Sequence, residues 1–212
     1  MRYYPVFLDI AGKPVVVIGG GGVALRKVEG LLEAGAQVTV VSPELHPELR
    51  RLVEEGRVRH QPRQYRRGDL EGCALAFVAS DDRSVNANVA REGKERRVWV
   101  NAVDDPANCD FIMPGIVRRG DLIVAVSTSA GSPAMARKMR EELEAFLTED
   151  YVLLLELAAE VRAELRETGV QVDPEVWNAA LDVELRGLLA QGRRPEAKDR
   201  LLRFLLQPAT GP

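Results

Sequence analysis

Short apolar, β-branched runs alternate with amphipathic stretches through the first half of the chain, the pattern of a parallel sheet wrapped by helices. Pro14–Ile18 (PVVVI) is apolar at every position and stops at four glycines, as a strand buried on both faces does. Ala24, Val28, Leu31 and Leu32 recur at helical spacing over 23–34, and Gly35 is the stop signal. Gln37–Val41 (QVTVV) reads as the next strand. Ser42 followed by Pro43 reads as an N-cap with proline at the first helical position, opening a helix to about residue 55. Residues 57–60, 74–79 and 98–103 read as further strands and 82–97 as a helix. This alternation predicts right-handed crossovers and a Rossmann-like parallel sheet.

The rhythm changes after Pro106. Apolar runs at 111–118 and 121–128 flank Arg119-Gly120, which predicts a hairpin rather than another crossover. Ser132-Pro133 opens a helix to about residue 147. Helices follow at 151–168, from Asp173-Pro174 through 191, and over 195–207. The chain is therefore expected to be α/β: a Rossmann-like domain at 1–112, a small α+β region at 113–148 and a helical region at 149–212.

Composition narrows the function classes. With 46% hydrophobic and 29% charged residues, the 212-residue chain can build a real core. A net charge of −3 and only 5% aromatic residues argue against a nucleic-acid surface. No apolar run reaches membrane-span length, and the first twenty residues lack the h-region of a signal peptide, so no membrane partner is expected. Cys73 and Cys109 form no CxxC, which suits a reducing cytoplasm and ordinary buried thiols. His46 and His60 have no ligand spacing to a cysteine or to each other, so no metal site is expected.

The strongest local signal is Gly19-Gly20-Gly21-Gly22-Val23-Ala24, a GxGxxA fingerprint with Gly19, Gly21 and Ala24 at its defining positions. The glycines allow a sharp turn and a close pyrophosphate, and the helix N-terminus faces that anion with free N–H groups. The bland alternative is a glycine turn with no ligand. The acidic residue expected to grip a ribose is missing from its usual place; Ser42 and Glu44 stand near it, and Arg26 and Lys27 lie early in the first helix. That pattern modestly favours NAD over NADP. Ser80 and Asp81, with Asp82, end a strand at the ligand-bearing sheet edge, where they serve as a helix cap, a ligand contact or both. Asp104 ends the last strand at that edge, as a proton acceptor, a partner for a cationic nitrogen or simply a turn acid before proline. The small-residue loop 127–133, with Thr128, Ser129 and Ser132, is an anion seat. Arg118, Arg119, Arg137, Lys138 and Arg140 lie near it in sequence, as a polyanion site or as a solvated face.

Three stretches carry a family resemblance: YPVFLDIAGKPVVVIGGGGVALRKVEGLLEAGAQVTVVSP, FVASDDRSVNANVA and VNAVDDPANCDFIMPGIVRRGDLIVAVSTSAGSPAMARKMREELE. Together they span roughly residues 4–144, and the chain resembles the precorrin-2 dehydrogenase/sirohydrochlorin ferrochelatase family, the dehydrogenase module of siroheme synthases. The resemblance implies NAD-dependent oxidation of precorrin-2, a tetrapyrrole with eight carboxylates, to sirohydrochlorin, and in some members insertion of ferrous iron as well. It implies a homodimer in which 113–148 supplies the interface and part of the substrate cleft. The family's essential aspartate falls on Asp104, and its NAD contacts fall on Gly22-Val23 and Pro43-Glu44. Many relatives carry an acid at the position of Gly22, so that contact is expected through backbone alone. A serine phosphorylated in some fused enzymes corresponds to Thr128. No methyltransferase module is present in the sequence, so precorrin-2 is expected from a separate protein. The rival class is a dimeric NAD-sensing regulatory module without turnover, which would not need the STSAGSP loop and its basic helix.

Overall fold

The computed structural model describes residues 3–207, which form two compact units that divide between Met113 and Pro114. In the first, strands β1 (Pro14–Ile18), β2 (Gln37–Val41), β3 (Arg59–Gln61), β4 (Leu75–Val78) and β5 (Trp99–Ala102) make one parallel sheet in the order β3-β2-β1-β4-β5. Helices α1 (Gly22–Glu33), α2 (Pro47–Glu54) and α3 (Arg83–Arg96) connect them. The sheet is buried on both faces because its strands are apolar at successive positions. Val15, Val17, Leu75 and Phe77 enter one core with Ala24, Val28 and Leu49. Val16, Ile18, Ala76 and Val78 enter the other with Leu70, Val89 and Val100. The order reverses between β1 and β4, so their carboxyl ends form the crevice where ligands of such sheets lie.

One predicted element starts elsewhere. The helix expected from Ser42-Pro43 begins at Pro47, with His46 as N-cap accepting from the Glu48 N–H at 3.3 Å. The Ser42 hydroxyl is not free to cap, because it donates to the Glu44 carbonyl at 2.7 Å. His46 N–H donates to the Gly20 carbonyl at 2.7 Å, which folds 42–46 back onto the glycine turn. Tertiary hydrogen bonding thus moves the start of the helix from Ser42-Pro43 to His46-Pro47.

In the second unit, β6 (Gly115–Arg119) and β7 (Leu122–Val126) form the expected hairpin, turning at Gly120 with φ +55°. Helix α4 (Pro133–Phe146) packs on it, capped by Ser132, whose hydroxyl accepts from the Met135 N–H at 3.2 Å. Helices α5 (Glu149–Glu167), α6 (Pro174–Ala180), α7 (Val183–Ala190) and α8 (Arg194–Leu205) share a core of Leu157, Val161, Leu185, Leu201 and their neighbours. The single helix expected over 173–191 is two. Asp182 interrupts it by capping α7 through the Leu185 N–H (2.8 Å) while accepting from Arg200 of α8 (2.6 Å).

Candidate active site

The chain leaves β1 through Gly19, whose φ of +113° and close neighbours admit no side chain: a Cβ there would lie 2.3 Å from the Ala79 carbonyl oxygen. Gly20 is equally confined, since its Cβ would lie 2.0 Å from the Glu44 oxygen and 2.7 Å from Ser42 Oγ. Fingerprint reasoning missed this second constraint, because it arises from the 42–46 loop and not from the strand. Gly21 and Gly22 are different. A Cβ on either meets nothing within 4 Å, and both are exposed. Gly21 is the N-cap of α1, with no side-chain cap and no acid in the first turn. The leading N–H groups, with that of half-buried Val23, therefore present positive partial charge to open space, as an anion seat does. A dinucleotide pyrophosphate fits these residues.

At the end of β2, Ser42 is 7% exposed and its hydroxyl is engaged with the Glu44 carbonyl. Pro43 and Glu44 are exposed just beyond the end of β2. Beyond β4, Ser80 Oγ accepts from the Asp82 N–H at 3.2 Å, and Asp81 is exposed. Asp82 caps α3 through Ser84 N–H at 2.8 Å. Hydrogen bonds from the Ser84 hydroxyl and N–H hold its carboxyl below the usual range.

Asp104 follows β5 in the left-handed region, φ +57°, with its side chain exposed. Such a conformation costs a non-glycine residue about 1 kcal/mol and persists only where neighbours impose it. They do so here. The Cys109 thiol donates toward the Ala102 carbonyl (3.0 Å), with the Asp105 carbonyl at 3.3 Å, and accepts from the Ala102 N–H (3.2 Å). Asn101 Nδ2 donates to the Phe111 carbonyl at 2.9 Å. The Asp105 carboxylate accepts from Asn108 Nδ2 (2.8 Å) and more weakly from Asn86 Nδ2 (3.4 Å). Asn86 is buried in α3, and its Oδ1 has no hydrogen-bond partner among the described residues. Cys109, expected as an ordinary buried thiol, thus staples the loop that displays Asp104; a Cys five residues after an acid gave no sequence signal for this.

In the second unit, Thr128 Oγ1 donates to the Ser132 carbonyl (3.0 Å) and accepts from its N–H (3.2 Å), while Ser129 and Ala130 take φ of +53° and +66°. Arg118 and Arg137 are exposed. Arg140 is turned to Glu144 at 2.6 Å, and Lys138 pairs loosely with Glu142. Among the described residues, no group of three His, Cys, Asp or Glu could hold a metal, and no helix is long and apolar enough to cross a membrane.

Comparison with known proteins agrees with the glycine seat. Residues 6–115 match the family described as "Putative NAD(P)-binding". The chain belongs to this NAD(P)-binding family. The family's stretch covers all of the parallel sheet and ends two residues beyond the first unit. This member is 38% identical to the "Siroheme synthase" of Photobacterium profundum, over 95% of the chain and 44% of that protein. It is 40% identical to that of Pseudomonas aeruginosa (strain UCBPP-PA14), over 100% of the chain and 47% of that protein. The chain thus spans about half the length of the curated relatives it matches. Among solved structures it is similar to "SirC, precorrin-2 dehydrogenase", with a TM-score of 0.75 and 26% identity over 95% of this chain and 100% of that one.

Proposed function

We propose that this chain oxidises precorrin-2 to sirohydrochlorin with NAD as the two-electron acceptor. The observation that carries the reading is the pairing of two features at one sheet edge: the open, side-chain-free turn at Gly21-Gly22 and an exposed carboxylate, Asp104, held against its conformational preference. The likeness to siroheme synthases and to a precorrin-2 dehydrogenase supports it. The Glu44 carboxylate favours NAD over NADP at the ribose.

NAD, when bound, supplies a hydride acceptor. The N–H groups of Gly22 and Val23 orient its pyrophosphate, and Gly19 and Gly20 hold the turn in the shape that lets it approach. Ser80 and Asp81 line the same edge. Asp104 takes the proton that leaves the substrate carbon skeleton as the hydride departs, so the substrate loses two hydrogens as H⁻ and H⁺. Thr128, Ser129, Ser132, Arg118 and Arg137 are assigned to the carboxylates of the macrocycle.

The proposal includes a homodimer built by residues 113–148 and a cytoplasmic setting. Helix α4 supports the first: it buries none of its residues, and Met135, Phe146 and Ile116 of the adjoining hairpin are exposed apolar side chains. The two cysteines, free of any disulfide, support the second.

The test is an anaerobic incubation with enzymatically made precorrin-2 and NAD, following NADH and the sirohydrochlorin spectrum together, beside light scattering for mass. Both products in equal amounts establish the activity. NAD binding without either product would replace it with the sensor reading.

A further inference from the structure

Lys27 lies in the second turn of α1, half-buried, with its ammonium 5.8 Å from the centroid of the Phe77 ring. Phe77 is the β4 residue paired with Asn101 of β5, and Asp104 lies three residues beyond that pair. The lysine therefore projects from the cofactor helix across β4 toward the loop that carries Asp104. Among the described residues no carboxylate oxygen lies within 4.0 Å of its nitrogen, and it makes no hydrogen bond there. Burial first, then the charge of Arg26 beside it on α1, pull the ammonium below its ordinary range; the Asp104 carboxylate and the Cys109 sulfur, from the β5 loop, push it back. A partly desolvated cation with no carboxylate in contact is unfavourable and becomes favourable once an anion reaches it.

We propose that Lys27 anchors a peripheral carboxylate of the tetrapyrrole, making it a substrate-binding residue of the first unit. This rests on the activity proposed above. The edge then presents separated charges, a cation at Lys27 and an anion at Asp104, that do not close on each other. A ligand with carboxylates on its rim and N–H groups at its centre satisfies both at once. The Phe77 ring holds the ammonium by a cation–π contact. In the sequence Lys27 is only one of two basic residues early in the first helix; its direction is set by packing against Phe77.

The experiment compares wild type, Lys27→Met and Lys27→Arg in anaerobic fluorescence titrations with sirohydrochlorin and, separately, with NAD, alongside KM for precorrin-2. Lys27→Met should weaken sirohydrochlorin binding about tenfold or more and raise KM for precorrin-2, with NAD affinity within about twofold of wild type. Lys27→Arg should recover most of the loss, since it keeps the charge. Wild-type affinity for sirohydrochlorin should fall at alkaline pH, as the lysine loses its proton, and Lys27→Arg should extend it to higher pH. Loss of NAD affinity instead assigns the cation to the dinucleotide phosphates and overturns the proposal. So does unchanged affinity for both ligands in Lys27→Met. If wild type itself neither binds sirohydrochlorin nor converts precorrin-2, the activity reading falls and takes this one with it.

Discussion

The carbonyl oxygen of Ala79 occupies the space a side chain on Gly19 would need, 2.3 Å from the ideal Cβ position. The ends of two adjacent strands, β1 and β4, thereby meet with no room between them for a side chain. The glycine turn contains two kinds of position. Gly19→Ala and Gly20→Ala force backbone oxygens aside and should each destabilise the protein by about 2 kcal/mol or more. Gly21→Ala, with open space around it, should melt like wild type and lose NAD affinity because its methyl enters the phosphate seat. Thermal melts beside NAD titrations separate the classes, and a Gly21→Ala protein with full affinity would move the pyrophosphate elsewhere.

Asp104 takes a left-handed conformation just beyond the end of β5. Asp104→Gly relieves strain of about 1 kcal/mol and returns a comparable amount through a more flexible unfolded chain. Its Tm should therefore stay close to wild type, while turnover falls by about 100-fold or more, as it should for Asp104→Asn. Turnover retained in either variant would remove Asp104 from the chemistry.

Cys109 acts through that loop. Cys109→Ala removes a donor and an acceptor from the Ala102–Asp105 backbone and leaves a small void, for a cost of about 1–2 kcal/mol. The expected kinetic signature is a lowered kcat with NAD affinity unchanged, partly restored in Cys109→Ser. An equal loss of NAD affinity would show that the thiol supports the whole sheet edge instead.

Acid should weaken the first unit through Asp69. Burial pushes its carboxyl up, but bonds from Arg63 (2.8 and 2.7 Å) and the Arg66 N–H (2.8 Å) prevail, leaving it below the usual range. A carboxyl lowered on folding contributes stability that is fully present above its unfolded value, about 3.9, and is lost as pH falls through the folded one. Asp69→Asn should cost about 2 kcal/mol near pH 7, and the gap from wild type should narrow below about pH 4. Urea melts across that range measure it; a gap constant with pH would mean the carboxylate charge is irrelevant.

Much of the site was legible because its chemistry is local. A buried strand, four glycines and a helix in succession can hardly avoid placing N–H groups toward an anion, and Asp104 follows its strand by only two residues. The helix start at Pro47, by contrast, depended on where Ser42 and His46 find their partners, and those are Glu44 and Gly20. The break at Asp182 was hidden because helical periodicity continues across it; its reason is Arg200, distant in sequence and adjacent in space.

The sequence by itself determined the parallel sheet, the hairpin, the glycine turn that opens α1 and the carboxylate at the β5 end, since each follows from periodicity, glycine placement and strand order along a short segment. Tertiary structure alone decided that Gly20 is as constrained as Gly19, that Cys109 locks the loop of Asp104, and that Lys27 crosses Phe77 toward it. Each of these depends on which atoms of distant segments meet. Side-chain patterns encode the elements, whereas such contacts exist only once the elements are packed.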